Sequence, residues 1–263
     1  MTEQELAVAD KTPTHEGVQR AMAKIAAILP KTPLLPVEVD GVTIWCKAEM
    51  LQPIGAFKIR GAWHRLSDLN AEERARGVVG VSSGNHAQGV AWAAKKLGIN
   101  ATIVMPSNAP RMKLAATKAL GARVVLYDRA TESRDEIGDR LSAERGLTLI
   151  KPYDEPQVIA GQGTCGLEIA AQAAEAGVTQ ATVLTCCGGG GLTAGIALGS
   201  TSTNAGSSPS WCGNSTRISA IDAATSSRPC KRATASSGPK LRNSPKAWPR
   251  MYLSPSSAGI TNT

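Results

Sequence analysis

Three short stretches of the sequence carry residues that are suited to chemistry. The first, PIGAFKIRGA, places the amine of Lys58 between the aromatic residue Phe57 and a basic turn that contains glycine. The second, SSGNHAQG, begins at Ser82 and is rich in hydroxyl and amide side chains. The third is a run of four glycines, Gly188 to Gly191. A single lysine is usually a surface residue, so a chemical role for Lys58 depends on the company of the other two stretches.

The tetraglycine run lies between a predicted strand, ATVLTCC, and a predicted helix that begins at LTAGIALG. Glycines remove every side chain from this turn, so backbone N–H groups can converge on an anion at the helix N-terminus. No Gly-Lys-Ser/Thr follows, so the run is not a Walker A loop, and it is not GxGxxG either. We predict a phosphate site. The alternative is a flexible turn, which four glycines would make entropically costly without a purpose.

The SSGNHAQG stretch also follows a predicted strand and opens a predicted helix. Ser82, Ser83 and Asn85 are residue types that cap helices, and capping is the alternative interpretation. The functional interpretation is a second anion site, in which hydroxyls and backbone N–H groups bind a carboxylate. Ligands of open α/β sheets bind at the carboxyl ends of strands, where both loops lie. A phosphate site, a carboxylate site and an amine together predict a phosphorylated aldehyde cofactor and an amino acid, because an amine and an aldehyde form a Schiff base.

The elements that must position these loops follow an α/β pattern. Four short apolar runs, GVVGVSSG, ATIVMP, ARVVLYD and LTLIKPY, alternate with helical patterns that end at Gly98, Gly121 and Gly146. This order predicts a parallel sheet with right-handed crossovers.

The flanking segments are also predicted to be ordered. Upstream, HEGVQRAMAKIAAIL is an amphipathic helical pattern, and two predicted strands flank a turn at Asp40 and Gly41. Downstream, PQVIAGQGTCGLEIAAQAAEAG is a helical pattern with a predicted interruption at Gly161 and Gly163.

We predict an α/β protein with two open parallel-sheet domains and a tail. Residues 1–76 and 155–199 form the two parts of a large domain, and residues 77–154 form a small inserted α/β domain. Residues 200–263 contain 15 serines, seven threonines and six prolines without a sustained period of 2 or 3.6. Their composition predicts a disordered tail.

Composition and charge exclude several classes of function. The net charge is +8, but residues 200–263 hold eight Lys/Arg and one acidic residue, so the basicity belongs to the tail. Nucleic-acid binding is therefore a weak alternative. Six cysteines without a CxxC pair and three histidines predict reduced thiols and no metal site. No apolar run approaches 18 residues and the polar N-terminus lacks a secretory signal, so we expect a cytoplasmic protein that does not contact membranes.

Four motifs, PIGAFKIRGA, SSGNHAQG, EPQVIAGQGT and GGGGLTAGIALG, resemble the serine/threonine dehydratases in order and spacing. These are fold-type II (tryptophan synthase beta-like) pyridoxal-phosphate enzymes, which include serine racemase and hydroxyaspartate dehydratases. The resemblance runs from about Thr14 to Gly199 and implies that fold, pyridoxal 5′-phosphate as cofactor and a small amino-acid substrate. The implied activity is that of an ammonia-lyase, which converts threonine, serine or 3-hydroxyaspartate to a 2-oxo acid and ammonia. Family members are often dimers, so the resemblance also raises a homodimer as an expectation.

The resemblance implies a role for each residue of the cofactor site. Lys58 is the Schiff-base lysine and the base that removes the α-proton of the substrate. Phe57 packs beside the cofactor ring, Asn85 hydrogen-bonds the ring hydroxyl, and Gly188, Gly189, Gly190 and Gly191 hold the phosphate.

The substrate carboxylate is implied to lie among the polar residues of the second motif, namely Ser82, Ser83, Asn85 and His86. Arg134, in ESRDE, is a candidate for binding a second carboxylate, against the alternative of a solvated helix residue.

Two departures from the family pattern qualify these expectations. Ala56 stands where the family commonly has serine. Residues 200–263 match none of the family's C-terminal part, which includes a contact to the pyridine nitrogen, so we hypothesise an out-of-frame text and little activity. The alternatives are an amino-acid racemase, with Ser83 as the acid/base opposite Lys58, and an inactive cofactor-binding remnant.

Overall fold

The computed structural model describes residues 12–178 and 181–200, together with the backbone of residues 217–222. Its helices are α1 to α8, at His15–Ala26, Lys58–Ser67, Ala71–Arg76, Asn85–Leu97, Arg111–Ala119, Arg134–Arg145, Pro156–Glu175 and Gly191–Ser200. Its strands are β1 to β8, at Leu34–Val39, Val42–Lys47, Val78–Val81, Ala101–Pro106, Arg123–Tyr127, Thr148–Ile150, Thr182–Cys187 and Arg217–Asp222. A 3-10 turn occupies Glu49–Leu51.

The four predicted apolar runs form one parallel sheet in the order β5-β4-β3-β6. Every residue of β3 and β4 is buried, as expected for central strands that are covered on both faces. One face packs on α4, and the other packs on Ile137 and Leu141 of α6. The predicted glycine stops are confirmed, since Gly98, Gly121 and Gly146 all have positive φ. The carboxyl ends of β3 and β6 therefore lie side by side, followed by the residues of the site.

Helix α7 packs against α1, α2 and α8 beside this sheet. The predicted interruption at Gly161 and Gly163 is wrong, because α7 is one continuous helix of 20 residues. Tertiary packing explains both glycines. A Cβ on Gly161 would lie 2.6 Å from Cα of Gly61 in α2, and one on Gly163 would lie 2.8 Å from the Gly195 carbonyl of α8. The glycines thus permit close helix contacts, which offsets their low helix propensity.

Strands β1 and β2 form the predicted antiparallel hairpin around Asp40 and Gly41, both of which have positive φ. Its two strands are mostly exposed to solvent in the part of the chain that the structure describes. The division of the chain at residues 76 and 154 stays a prediction, although all four strands of the parallel sheet fall inside 77–154.

One strand lies within the segment that composition predicts to be disordered. Strand β8 pairs in parallel with β7, from Thr182 opposite Arg217 to Cys187 opposite Asp222. Parallel pairing uses backbone groups, which composition does not report, so the edge of β7 can accept a strand from a polar segment. The prediction for the rest of 201–263 lies outside the described residues.

Two further expectations concern cysteines and membranes. Within the described residues, Cys46, Cys165, Cys186 and Cys187 are free thiols. No described helix is long and apolar enough to span a membrane.

Candidate active site

The three chemical motifs meet at residues 150–153, which follow β6. Nζ of Lys58 donates to the Pro152 carbonyl at 2.5 Å. The ring of His86 lies 3.0 Å from the Ile150 carbonyl through Nε2. Tyr153 packs so closely on the tetraglycine loop that a Cβ on Gly189 would overlap its ring. One short segment therefore contacts the lysine motif, the SSGNH motif and the tetraglycine loop.

Lys58 begins α2, where it is mostly shielded from water. Burial lowers the pKa of its amine from the ordinary 10.5 to about 8. Nζ also lies 5.4 Å from the centre of the Phe57 ring, so the predicted pair of residues lies together. Near neutral pH an appreciable share of this amine is unprotonated, which is the form that attacks a carbonyl carbon or accepts a proton.

The SSGNH loop does not use its side chains as the helix cap. The residue before α4 is Gly84, which has no side chain to cap the helix. The hydroxyl of Ser82 instead accepts from the Gly84 N–H at 3.1 Å, in a local turn. Among the described residues, the half-buried hydroxyl of Ser83 has no hydrogen-bond partner. Ser83 is thus free to bind a ligand, and its role stays a prediction.

His86 is buried and close enough to Lys58 for the two charges to interact. Burial lowers the pKa of its imidazole to about 4, so the ring is neutral. A neutral ring that donates to the Ile150 carbonyl through Nε2 leaves Nδ1 as a bare acceptor, and Nδ1 has no partner among the described residues. His86 in this position anchors α4 to the end of β6. Its predicted contact with a substrate carboxylate stays a prediction.

The tetraglycine loop follows β7 and leads into α8, as the sequence predicts. Gly190 has a φ of 85°, a conformation that favours glycine. Side chains at Gly189 and Gly191 are excluded by the ring and carbonyl of Tyr153. The loop is therefore packed against its neighbour on one side, and its backbone N–H groups lie at the N-terminus of α8, where anions are favoured.

Asn85, the first residue of α4, is held by a residue that the motif analysis did not select. Oδ1 of Asn85 accepts from Nζ of Lys113, which comes from α5. Lys113 also reaches Oε1 of Gln88 at 3.3 Å.

Arg134 begins α6 at the rim of a cleft of about 240 Å³. The cleft also contacts Pro152 and Tyr153, so it reaches the segment that joins the motifs. The guanidinium is 42% exposed and lies 3.3 Å from the carboxylate of its neighbour Asp135. Arg134 is thus both solvated and near the site, and its contact with a substrate stays a prediction.

Beneath Lys58 lies a group of buried charges, which we call the ionic cluster: Lys47, Glu49, Arg60 and Glu168. Arg60, the largest fully buried side chain, bonds both glutamates at 2.7 to 2.8 Å. Burial opposes its charge, but the hydrogen bonds to the glutamates outweigh burial and raise its pKa. Burial likewise raises the pKa of Glu168, and the bonds from Arg60 and Lys47 reverse the shift and lower it. The cluster ties the first turn of α2, and so Lys58, to α7.

Three residues that the motif analysis did not select thus belong to the site: Lys113, Pro152 and Tyr153. Pro152 and Tyr153 follow the predicted strand LTLI directly, so the rule that ligands bind at strand carboxyl ends could have found them. No short-range signal marks Lys113, because only tertiary packing brings α5 to α4.

The family model for "Pyridoxal-phosphate dependent enzyme" matches residues 25–258 of the chain. The chain belongs to this family of pyridoxal-phosphate dependent enzymes. It is 46% identical over 198 residues to an L-threo-3-hydroxyaspartate ammonia-lyase of Saccharomyces cerevisiae, a match that covers 74% of this chain and 60% of that protein. It is 45% identical over 190 residues to a serine racemase of Schizosaccharomyces pombe, with coverage of 71% and 58%.

Among solved structures, the crystal structure of a threonine deaminase from the organism abbreviated T.th. matches with a TM-score of 0.65 and 44% identity, over 71% of this chain and 60% of that one. These matches confirm the predicted resemblance to the serine/threonine dehydratases, the fold-type II architecture and the cofactor class. The chain spans about 60% of the length of these relatives.

The residues present fit pyridoxal phosphate. A loop in which side chains are excluded suits a phosphate, and a shielded amine with a lowered pKa suits a Schiff base. The amine and the loop both contact residues 152–153, so one ligand can reach both.

Proposed function

We propose that the protein acts as a pyridoxal-phosphate dependent ammonia-lyase on a β-hydroxy amino acid, which it converts to a 2-oxo acid and ammonia. The observation that carries the proposal is the meeting of Lys58, the SSGNH loop and the tetraglycine loop on residues 150–153. The relatives support the reaction class, since two of the three named above are an ammonia-lyase and a threonine deaminase.

Each motif has a separate task in this proposal. The cofactor, when bound, supplies an electron sink for the charge that develops at the substrate α-carbon. The backbone N–H groups of Gly188 to Gly191 bind its phosphate, and Phe57 and Asn85 orient its ring. Lys58 removes the α-proton, because an amine whose pKa is about 8 exchanges protons readily near neutral pH.

The SSGNH loop binds the substrate carboxylate through the hydroxyls of Ser82 and Ser83 and the polar groups of Asn85 and His86. Loss of the β-hydroxyl group then yields an enamine, whose hydrolysis releases ammonia and the 2-oxo acid. The atoms of one water molecule leave in the first step and return in the second.

The substrate class depends on Arg134. A guanidinium on the rim of the cleft beside Pro152 is suited to the second carboxylate of 3-hydroxyaspartate, which threonine and serine lack. We therefore propose 3-hydroxyaspartate as the preferred substrate.

Racemisation is a second candidate function, and the free hydroxyl of Ser83 favours it. Racemisation needs an acid/base on each side of the α-carbon, and Ser83 is a half-buried hydroxyl without a partner among the described residues. The similar serine racemase agrees with this candidate.

One set of assays separates these proposals. The full chain is incubated with pyridoxal phosphate and, in turn, L-threonine, L-serine and L-threo-3-hydroxyaspartate. We expect ammonia and 2-oxo acid in equal amounts, fastest from 3-hydroxyaspartate, and none from Lys58→Ala. D-serine without ammonia would replace the lyase proposal with the racemase. No turnover of any substrate would leave the inactive remnant.

The preference for 3-hydroxyaspartate is tested by Arg134→Met, with Arg145→Met at the other end of α6 as the matched control. Loss of one charge-assisted contact should lower kcat/KM for 3-hydroxyaspartate by about 10-fold, with little change for threonine. Equal losses on both substrates would contradict the carboxylate contact.

The assembly and location of the protein are also proposals. We propose a homodimer, to be measured by light scattering of the purified chain, and a cytoplasmic location, to be measured by cell fractionation. Family resemblance supports the dimer, and the polar N-terminus supports the location.

A further inference from the structure

Lys113 is a half-buried cation whose hydrogen-bond partners are both neutral amides. Its Nζ bonds Oδ1 of Asn85 and Oε1 of Gln88, which lie one turn apart on α4. Within residues 12–178 and 181–200, no carboxylate forms an ion pair with it. The other partly shielded cations near the site, Lys47 and Arg65, each bond a glutamate. The charge of Lys113 is therefore not balanced by its own surroundings.

The chemistry of lysine fixes the orientation of the Asn85 amide. An ammonium group has three donors and no acceptor, so only the carbonyl oxygen of an amide can face it. Oδ1 of Asn85 must therefore point to Lys113, and its NH₂ group must point away. An amide whose oxygen is bound by a cation is also a stronger donor at its nitrogen, because hydrogen bonds in a chain polarise one another.

We propose that Lys113 is a positioning residue for the cofactor site, which acts by holding Asn85 with its NH₂ group turned toward the ring oxygen of the cofactor. The inference rests on the proposed function, in which Asn85 donates to that oxygen. Without Lys113 the amide is free to rotate, and its oxygen would face the ring oxygen in part of the population. The cationic charge of Lys113 in turn favours a negatively charged ring oxygen through the polarised amide.

The test is a titration of the full chain with pyridoxal phosphate, followed through the visible absorption of the bound cofactor. Lys113→Met should raise the dissociation constant about 10-fold, which corresponds to loss of one charge-assisted hydrogen bond. Lys118→Met removes an exposed lysine from the same helix and should change the constant less than about 2-fold, the scale of a surface substitution. Lys113→Arg keeps a cationic donor and should retain most of the affinity. Equal melting temperatures of the cofactor-free variants show that folding is preserved.

A double-mutant cycle with Asn85→Ala decides whether Lys113 acts through Asn85. In the Asn85→Ala background, Lys113→Met should have no further effect on affinity. The absorption maximum of bound cofactor should shift in Lys113→Met and in Asn85→Ala, and stay unchanged in Lys118→Met. An undiminished effect of Lys113→Met in that background would overturn the inference in favour of direct attraction between Lys113 and the anionic cofactor. An affinity of Lys113→Met equal to that of the wild type would overturn it as well. A wild-type chain that binds no cofactor would overturn the proposed function and this inference together.

Discussion

The four-stranded parallel sheet and the β1–β2 hairpin consist of similar residues in opposite surroundings. Strands β3 and β4 are buried along their whole length, whereas every residue of β1 and β2 is partly or fully exposed. The hairpin nevertheless presents a continuous apolar face, formed by Leu35, Val37, Val39, Val42, Ile44 and Cys46. Branched apolar residues therefore identify a strand, but only the elements that pack on it decide whether it is buried.

The two regions are also held in place by different forces. The sheet is held by apolar side chains on both faces, with α4 on one side and α6 on the other. The hairpin is anchored at its base by charges, because Lys47 ends β2 and bonds Glu168 and Gln172 of α7. Glu49, two residues further on, bonds Arg60. The comparison predicts that loss of charged groups loosens the hairpin and loss of apolar groups loosens the sheet.

The largest effect is expected at the ionic cluster. Arg60→Met leaves two buried glutamates with a single lysine, and loss of one member of a buried ion pair costs about 3–5 kcal/mol. Arg76→Met is the matched control, because its ion pair with Glu72 is exposed and contributes about 0–1 kcal/mol. The free energy of unfolding is measured with urea. Amide exchange should also quicken in β1 and β2 more than in β3 and β4, and uniform exchange would contradict the anchoring role.

An intermediate effect is expected from two matched apolar truncations. Ile103→Ala in β4 removes a fully buried side chain and should lower the free energy of unfolding by about 2–5 kcal/mol. Val37→Ala in β1 removes a side chain that is already 42% exposed, so we expect a loss of about 0.5 kcal/mol. Comparable losses from the two truncations in the same urea experiment would show that the hairpin face is covered in solution.

The smallest effect on stability is expected from the pKa of Lys58. Burial disfavours the charged amine, so the unfolded chain binds this proton more tightly than the folded chain between pH 8 and 10.5. The free energy of unfolding of the cofactor-free protein should therefore rise with pH across this window, relative to Lys58→Met. Labelling of Lys58 with an amine reagent, mapped by peptide mass, should be half-maximal near pH 8. A midpoint near the ordinary 10.5 would mean that the amine is exposed to water.

Much of the fold follows from local sequence signals. The parallel strands, the hairpin turn and the glycine helix ends follow from apolar runs and from residues that adopt positive φ. Helix α7 is predicted with an interruption because Gly161 and Gly163 weaken a helix locally. Their use in close contacts with α2 and α8 depends on tertiary packing, which no local window contains.

The candidate site follows the same division. Lys58, the SSGNH loop and the tetraglycine loop are visible as motifs. The residues that join them are not, because Pro152 takes part through its carbonyl, which every residue type has. Lys113 is a lysine among others until the packing of α5 brings it to Asn85. The sequence therefore identifies groups that perform chemistry, and the fold identifies groups that hold them.

The central claim is that Lys58 is the amine that binds pyridoxal phosphate. Its most direct test is borohydride reduction of the full chain after incubation with the cofactor, followed by peptide mass mapping. The account predicts one modified peptide, which contains Lys58, and no modified peptide from the Lys58→Ala variant. A label on Lys47, Lys113 or any other lysine in place of Lys58 would contradict it.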